Sequence, residues 1–417
     1  MTSLTLLLWI TLGIAVQLAV LLGIAFWRHW QAYGALKTGA ASRASLEATL
    51  GKAPTWTGYR AFKVARKDIE DGAATVCSFY LKPSDGKALP AFLPGQYLTF
   101  RLDLPTPGGR EEIVRCYSLS DAPNPDSYRV SIKRVPAPPG SDVPPGRASS
   151  YFHDRVEVGS TLQIRAPSGH FHSDETDSPA VLIGGGIGIT PLLSMLNWCM
   201  AKQPKREVWF FYGVRNSREV VMKAQLDALA AARPNFHLWL CFSAPLSEDR
   251  LGRDYRHSGR VGAPLLRQQL PLGLYHYYIC GPAPMMQSLV SGLEDWGVPQ
   301  ANIHFEAFGP ASIKRSSTLA TAPALHAPEA SDAGIVVNFI RSGKQLPWQP
   351  SAASLLEFAE ANGIAVDSGC RAGACGTCQT TIQSGEVTYR HAPDFDPEPG
   401  TCLLCVCTPK TSVVLEA

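Results

Sequence analysis

The sequence predicts a multidomain protein with an N-terminal transmembrane helix, an antiparallel β-barrel, an α/β domain with a parallel sheet, and a C-terminal α+β domain. Three observations support this fold class. The N-terminus carries a long uncharged apolar run, the pattern near the middle changes from strands alone to alternating strands and helices, and cysteines cluster near the C-terminus. A chain of 417 residues also has room for about three domains.

The composition is that of an ordinary folded protein, with 45% hydrophobic and 18% charged residues. A formal net charge of +3 gives no strong attraction for nucleic acid, so no nucleic-acid partner is expected. Eleven cysteines are far fewer than a disulfide scaffold of this length requires. Those outside the C-terminal cluster lie mostly in apolar runs, which indicates a reducing compartment. They are Cys77, Cys116, Cys199, Cys241 and Cys280.

The apolar run from Leu4 to Trp27 contains no charged residue and exceeds the roughly 20 residues that a transmembrane helix needs. A signal peptide and a buried core helix are the alternatives. No Lys or Arg precedes the run, however, and no small-residue cleavage site ends it. Basic residues follow the run, so the positive-inside rule places the body of the protein in the cytoplasm. We therefore expect an anchor over residues 1–30, a linker over 31–56, and a single-pass inner-membrane protein with its N-terminus outside.

Residues 57–172 show short alternating strands separated by Pro and Gly, which indicates a small antiparallel barrel. Arg115, Tyr117 and Ser118 form an R-x-Y-S sequence that suits a flavin. The Arg can pair with phosphate, the Tyr can stack beside the ring system, and the Ser can donate a hydrogen bond to it. Four residues alone are weak evidence, because any strand can carry them. The turn before Ser149 adds backbone amides that can hold a pyrophosphate.

Residues 173–312 alternate strands with helices, which predicts a parallel sheet covered on both faces. The apolar strand Val181–Ile183 leads into the glycine-rich turn Gly184–Pro191 and then into an amphipathic helix. Glycines at such a turn let cofactor phosphates approach the helix N-terminus. A lone glycine-rich turn is weak evidence of a nucleotide site, and this one lacks the G-x-G-x-x-G spacing of dehydrogenases.

The last domain, residues 334–417, contains Cys370, Cys375 and Cys378 in the C-x4-C-x2-C spacing typical of a plant-type [2Fe–2S] cluster. Glycines within this stretch suit a tight loop that curls around the cluster. Free thiols or a zinc site, which usually offers paired C-x2-C units, are the alternatives. The C-x4-C-x2-C spacing favours the cluster. The spacing leaves three candidates for the fourth ligand: Cys402, Cys405 and Cys407. Residues 313–333 are expected to form a flexible linker before this domain.

These motifs, in this order, resemble the ferredoxin–NADP reductase superfamily. Within it they resemble three-module reductases with flavin, then NAD(P), then a C-terminal plant-type ferredoxin domain, as in phthalate dioxygenase reductase and the hybrid-cluster-protein reductases. The resemblance covers about Tyr59 to Ala417. It implies a flavin-binding barrel, an NAD(P)-binding α/β domain and a β-grasp ferredoxin domain. The N-terminal apolar run is a departure from the soluble members of this family.

The resemblance also assigns residues. Arg115, Tyr117 and Ser118 match the flavin motif, and Ser149 matches the serine on the pyrophosphate side. The nucleotide loop is matched by Gly184, Gly185, Gly186, Gly188, Thr190 and Pro191, with Thr190 near the nicotinamide. The C-G-P sequence and the segment that closes on the flavin are matched by Cys280, Gly281, Glu306 and Phe308. Ser118 and Cys280 are the implied catalytic residues.

The C-terminal sequence Leu404–Pro409 looks like the family's ending L-x-C-x-C-x-P. That ending selects Cys405 as the fourth cluster ligand, beside Cys370, Cys375 and Cys378. Cys402 and Cys407 are then unligated, although the presence of Cys407 leaves the assignment open.

The implied activity is that of an NAD(P)H oxidoreductase. A hydride passes from NAD(P)H to FAD, with FMN as the alternative, and single electrons then pass through the [2Fe–2S] cluster to a partner protein. The expected acceptor is a membrane-associated oxygenase, hydroxylase or desaturase, with the membrane itself as a further partner. One alternative is a respiratory-type reductase that feeds quinone or another electron-transfer complex. Another is a non-catalytic redox scaffold, against which the intact motifs argue.

The nucleotide preference should depend on the residues after the strand Val208–Gly213. Arg215 and Arg218 there favour NADPH, since Arg attracts a 2′-phosphate, whereas Glu219 favours NADH. The alternative is that this segment only caps a helix. We expect NADH, because the Lys or Tyr platform of the NADP-specific plant enzymes is not recognisable.

Overall fold

Our computed structural model describes residues 58–308 and 334–417, with short gaps, together with Trp56 and three N-terminal positions. The gaps are 107, 138–139, 141, 367, 369–370, 372, 374–375, 390–392 and 394–396. The described residues of 56–173 and 177–417 belong to one compact unit. The expected linker over 313–333, and that over 31–56 except Trp56, lie outside the described residues.

The structure corrects the prediction of a membrane helix. Of the run Leu4–Trp27, only Val16, Gln17 and Gly23 belong to the described residues. In the part of the chain that the structure describes, no helix is both long enough and apolar enough to cross a membrane. The transmembrane helix over residues 1–30 and the inner-membrane location derived from it are therefore wrong. The prediction rested on length and lack of charge, which a spanning helix requires but which do not suffice to identify one.

The first module is an antiparallel sheet in the strand order β4-β3-β6-β1-β2-β5. An isolated bridge between Leu119 and Val130 joins its two edges, which closes the sheet into a barrel. Alternating apolar side chains fill the barrel, and Phe152 of its helix packs edge-on against Phe79 and Phe100. The elements are β1 (Arg60–Ile69), β2 (Val76–Pro83), β3 (Tyr97–Thr106), β4 (Gly109–Ser118), β5 (Tyr128–Lys133), α1 (Arg147–Arg155) and β6 (Thr161–Ile164).

The second module is a parallel sheet in the order β10-β9-β8-β7-β11-β12, with an apolar core on each face. Its first half comprises β7 (Ala180–Gly185), α2 (Ile189–Lys202), β8 (Val208–Val214), α3 (Lys223–Ala232), β9 (Phe236–Phe242) and β10 (His257–Ser258). Its second half comprises α4 (Ala263–Gln269), β11 (His276–Cys280), α5 (Ala283–Asp295) and β12 (Ile303–Glu306). The strand order reverses between β7 and β11, and ligands of such sheets bind outside the carboxyl ends of the strands at this switch point.

The third module is a small α+β domain with a sheet in the order β14-β13-β19-β15-β17 and a second pair, β16-β18. Phe358 and Leu355 of its helix pack against the sheet in one core that also contains Cys378 and Cys405. The elements are β13 (Val336–Phe339), β14 (Lys344–Pro347), α6 (Leu355–Ala361), β15 (Gln379–Ser384), β16 (Val387–Tyr389), β17 (Thr401–Leu403), β18 (Cys407–Pro409) and β19 (Val413–Leu415). The three-module arrangement of barrel, α/β domain and α+β domain is thus as expected.

Candidate functional site

The turns after β7 and β11 touch each other at the switch point of the parallel sheet. A Cβ atom at Gly188 would lie 2.2 Å from the carbonyl oxygen of Cys280, and one at Gly185 would lie 2.7 Å from Cδ of Pro282. Real Cβ atoms do not approach other atoms so closely. The glycines are therefore required by the contact between the two turns.

Gly186 lies at the open side of the same turn. Its φ is +54°, and a Cβ atom there would have nothing within 4 Å. The helix α2 then begins without a side-chain cap. Thr190 is buried and donates from Oγ1 to the carbonyl oxygen of Ile187 at 3.0 Å, and Pro191 is also buried. A glycine-lined turn beside the uncapped start of a helix suits the phosphates of a dinucleotide.

Ser118, Cys280 and Glu306 come together from three strands of two modules. Cys280 and Glu306 are paired in register on β11 and β12, and Ser118 at the end of β4 hydrogen-bonds the Glu306 carboxyl group. Burial raises the pKa of Glu306 to about 8, and the hydrogen bond from Ser118 opposes that rise. Burial also raises the pKa of the Cys280 thiol, with a smaller contribution from the charge of Glu306. At neutral pH both Cys280 and Glu306 are therefore mainly uncharged.

Glu306 carries an unsatisfied polar atom. Its Oε2 is buried and has no hydrogen-bond partner among the described residues, although the residue as a whole keeps some exposed surface. Buried polar atoms in folded proteins almost always have a partner. An unpartnered buried oxygen here, between strand β4 of the barrel and the switch point, suits a site that binds a polar ring system. Phe308 follows close by and is 41% exposed.

Of the R-x-Y-S residues in the barrel, Tyr117 packs against other side chains, whereas Arg115 remains exposed. Tyr117 packs its ring edge-on against Phe100 and Phe152, at centroid distances of 5.6 and 5.2 Å, and burial raises its pKa. Arg115 is exposed, and its Nη1 donates to the carbonyl oxygen of Val114. Residues two apart in a strand lie on one face, so Arg115 and Tyr117 face the same side.

Ser149 stabilises the turn before α1. Its Oγ donates to the carbonyl oxygen of Gly146 at 2.9 Å and accepts from the backbone N–H of Val135 at 3.1 Å. The hydroxyl group is thus used within the protein, and it fixes the backbone at the start of α1.

The cysteine loop is described only in part, because Cys370 and Cys375 lie outside the described residues. Arg371, Gly373 and Gly376 all have left-handed backbones, with φ of +56°, +75° and +73°. Arg371 is held by Glu360 of α6, with Nη1 donating to Oε2 at 2.8 Å. The chain therefore curls at this loop, as a cluster-binding loop requires.

Cys378 and Cys405 are buried in the same core, at 3% and 4% exposure. The backbone N–H of Leu404 donates to the carbonyl oxygen of Cys378 at 3.2 Å, which joins the loop to the C-terminal segment. Cys402 and Cys407 are fully buried, and their side chains are hydrogen-bonded to each other. Two buried thiols beside a curled loop fit a [2Fe–2S] cluster.

Asp121 is a residue that the sequence analysis missed. Its carbonyl oxygen accepts from Ser194 Oγ and its Oδ1 accepts from Asn197 Nδ2, both at 2.7 Å, so it attaches the barrel to α2. Arg129 lies 3.4 Å away on the barrel side. The position of Asp121, three residues after the R-x-Y-S sequence, was the signal available in the sequence.

Three family models match the chain, one for each module. They are the oxidoreductase FAD-binding domain over residues 66–173, the oxidoreductase NAD-binding domain over 182–291, and the 2Fe-2S iron-sulfur cluster binding domain over 338–410. Their order is the one that the sequence motifs predicted. The expected cofactors FAD, NAD(P)H and [2Fe–2S] are therefore confirmed.

Individual proteins show the same likeness. A flavohemoprotein of Halalkalibacterium halodurans is 40% identical over 263 residues, which are 63% of this chain and 62% of that protein. The chain thus spans less than two thirds of this relative's length. The flavohem-like FAD/NAD-binding domain of nitric oxide dioxygenase from Vibrio cholerae O1 biovar El Tor is 33% identical, with a TM-score of 0.53, over 61% of this chain and 100% of that domain.

Phthalate dioxygenase reductase is 25% identical, with a TM-score of 0.50, over 88% of this chain and 100% of the other. This match extends over far more of the chain than those to the flavohemoprotein and the FAD/NAD-binding domain. The chain therefore belongs to the ferredoxin–NADP reductase superfamily, as an NAD(P)H-dependent electron-transfer reductase with FAD-, NAD- and [2Fe–2S]-binding modules in that order.

Proposed function

We propose that this reductase delivers electrons from its third module to an oxygenase-type partner protein. The observation that carries the proposal is the likeness to phthalate dioxygenase reductase, which extends over 88% of this chain. The third module would then be the exit point for electrons, because it is the module that binds the cluster. A respiratory acceptor such as quinone is the alternative, and no feature of the described residues favours it.

In this proposal, Ser118, Cys280 and Glu306 align the hydride-transfer site. FAD bound there would supply the conversion of a two-electron hydride from NAD(P)H into the single electrons that a [2Fe–2S] cluster takes. The turns at Gly188 and Cys280 contact each other, and the nicotinamide would lie beside them, next to the uncharged Cys280 thiol. Below about pH 8, Glu306 keeps a proton, so its free oxygen Oε2 can donate to a bound ring system while Ser118 bonds to the carboxyl group. Small misplacements in such a site have large effects on rate.

The same proposal assigns the remaining contacts. Arg115 pairs with a flavin phosphate, Tyr117 lies beside the ring system, and Phe308 covers it. Since the Ser149 hydroxyl already bonds within the protein, its contribution is to hold the first amides of α1 toward the pyrophosphate. The glycine turn Gly184–Gly188, with Thr190 and Pro191, takes the nucleotide. The proposed cluster ligands are Cys370, Cys375, Cys378 and Cys405.

The partner proposal is tested with candidate oxygenases, hydroxylases and desaturases from the same organism. We expect NADH-dependent product formation with the wild-type reductase. Cys378→Ser should abolish it by removing a cluster ligand, yet should still reduce ferricyanide, which takes electrons from the flavin. Quinone reduction by the wild type, with no turnover of any such oxygenase, would contradict the proposal.

A further inference from the structure

Charged side chains from two modules meet at the carboxyl end of β8. Arg215 follows β8 directly, and Glu219 lies four residues later. Oε1 of Glu219 accepts from Arg215 Nε at 2.5 Å and also contacts Nη2 of the same guanidinium group. Lys133, the last residue of β5 in the first module, places its Nζ 3.8 Å from Oε2 of Glu219. The carboxylate therefore lies between one cation of each module.

Glu219 is much better shielded from water than Arg215. Its side chain is 12% exposed, whereas that of Arg215 is 73% exposed. Solvent and salt screen a partly buried charge less than an exposed one. A second pair nearby, Arg218 with Glu248 at 3.3 Å, has both side chains exposed, at 66% and 57%. Arg215 is therefore paired with a shielded carboxylate, whereas Arg218 is paired with an exposed one.

The backbone of this segment is fixed from both sides. The turn between β1 and β2 contributes two bonds, from Ala73 N–H to the Arg218 carbonyl oxygen and from Met222 N–H to the Glu70 carbonyl oxygen, each at 2.9 Å. On the other side, Ala244 N–H donates to the carbonyl oxygen of Arg215 at 2.8 Å. Arg215 and Glu219 are consequently held in position by the first module and by the residues after β9.

The place of this pair in the sheet relates it to the nucleotide. In open parallel sheets the pyrophosphate lies at the glycine turn of the switch point. The ribose is recognised further along, by an acidic residue that bonds its hydroxyl groups or by an Arg that accepts a 2′-phosphate. Here the glycine turn follows β7, and β8 is its direct neighbour in the sheet. Arg215 and Glu219 thus lie where the adenosine ribose of the dinucleotide is expected.

We propose that Glu219 is the residue that makes this reductase prefer NADH to NADPH. The Glu219 carboxylate occupies the N–H donors of the Arg215 guanidinium group that a 2′-phosphate would need for paired hydrogen bonds. A 2′-phosphate must displace the carboxylate and then lie beside it, with like charges in close contact. A ribose hydroxyl donates to the same carboxylate at no such cost. The proposal concerns the entry of electrons and does not depend on the identity of the acceptor.

The test measures steady-state ferricyanide reduction with NADH and with NADPH, without any partner protein. The wild type should favour NADH by about tenfold or more in kcat/KM. Glu219→Gln keeps the size of the side chain, removes its charge and frees Arg215, so the preference should fall by about tenfold or more, mainly through a lower KM for NADPH. The matched control Glu248→Gln removes the exposed carboxylate of the second pair and should leave the preference unchanged.

A double variant identifies the group that is freed. Arg215→Ala added to Glu219→Gln should remove the gain with NADPH. An unchanged preference in a folded Glu219→Gln, or a wild type that prefers NADPH, would overturn the proposal. If Glu219→Gln does not fold, competition with NADH in the wild type decides: 5′-AMP should inhibit at least as strongly as 2′,5′-ADP, and much stronger inhibition by 2′,5′-ADP would overturn the proposal.

Discussion

Glu306 is a single residue in which burial, hydrogen bonding and charge act together. Its carboxyl group lies beside the Ser118 hydroxyl and close to the Cys280 thiol, with one oxygen buried and unpartnered among the described residues. Because burial disfavours the charged form, the pKa of Glu306 rises to about 8. A carboxyl group that is neutral at pH 7 can donate a hydrogen bond, which an ordinary carboxylate cannot do.

The raised pKa of Glu306 predicts a pH-dependent contribution to stability. The folded state binds a proton that the unfolded state releases above about pH 4.5, so this contribution is complete below that pH and is lost as the pH rises through about 8. Glu306→Gln does not titrate. The stability of the wild type relative to this variant should therefore fall by on the order of a few kcal/mol between about pH 5 and about pH 9. Urea unfolding of both proteins measures this difference, and a constant gap would show that Glu306 titrates normally.

At the scale of elements, the glycine turn after β7 works through its contact with the end of β11. The sequence predicted the turn, and the structure adds the reason for its composition. Gly188 lies against the backbone of Cys280, where the nearest atom to an added Cβ would be only 2.2 Å away. The turns after β7 and β11 can touch only because no side chain lies between them.

Gly188→Ala should force these two turns apart. Backbone atoms cannot move aside as a flexible side chain can, so we expect a loss of about 1–3 kcal/mol in the free energy of unfolding. Flavin reduction by NADH should also slow by about tenfold or more, because the proposed nicotinamide site would shift. Gly262→Ala is the matched control, since its added Cβ would meet its nearest atom, Cδ of Pro264, at an ordinary 3.6 Å. Equal losses of stability and rate in both variants would show that the contact between the turns is not the cause.

The features that could be predicted are those formed by consecutive residues. The glycine turn with its flanking strand and helix, the R-x-Y-S strand end and the cysteine loop each occupy a short stretch, so spacing alone indicates them. Contacts between distant residues could not be predicted. Asp121 reaches Ser194, and Lys133 reaches Glu219, only because the two modules pack together. The N-terminal run misled because apolar length is necessary for a membrane helix but does not identify one.

At the scale of the whole molecule, three modules divide the work of electron transfer. The second module binds the nucleotide, the first binds FAD, and the third binds the cluster. The first two are joined through Asp121 and the Arg215–Glu219–Lys133 contacts, which connect the barrel to both proposed ends of the nucleotide site. The chain therefore contains a binding module for each of the three redox groups.

The most direct test of this account is an anaerobic titration of the purified protein with NADH, followed by visible absorbance and electron paramagnetic resonance. The flavin should bleach, and the signal of a reduced [2Fe–2S] cluster should appear in the same protein. Cys405→Ser should lose the cluster signal and its iron and sulfide while its flavin still bleaches, and Cys407→Ser should keep both signals. A wild-type protein whose flavin is reduced while no cluster signal develops, or a full cluster in Cys405→Ser, would contradict the account.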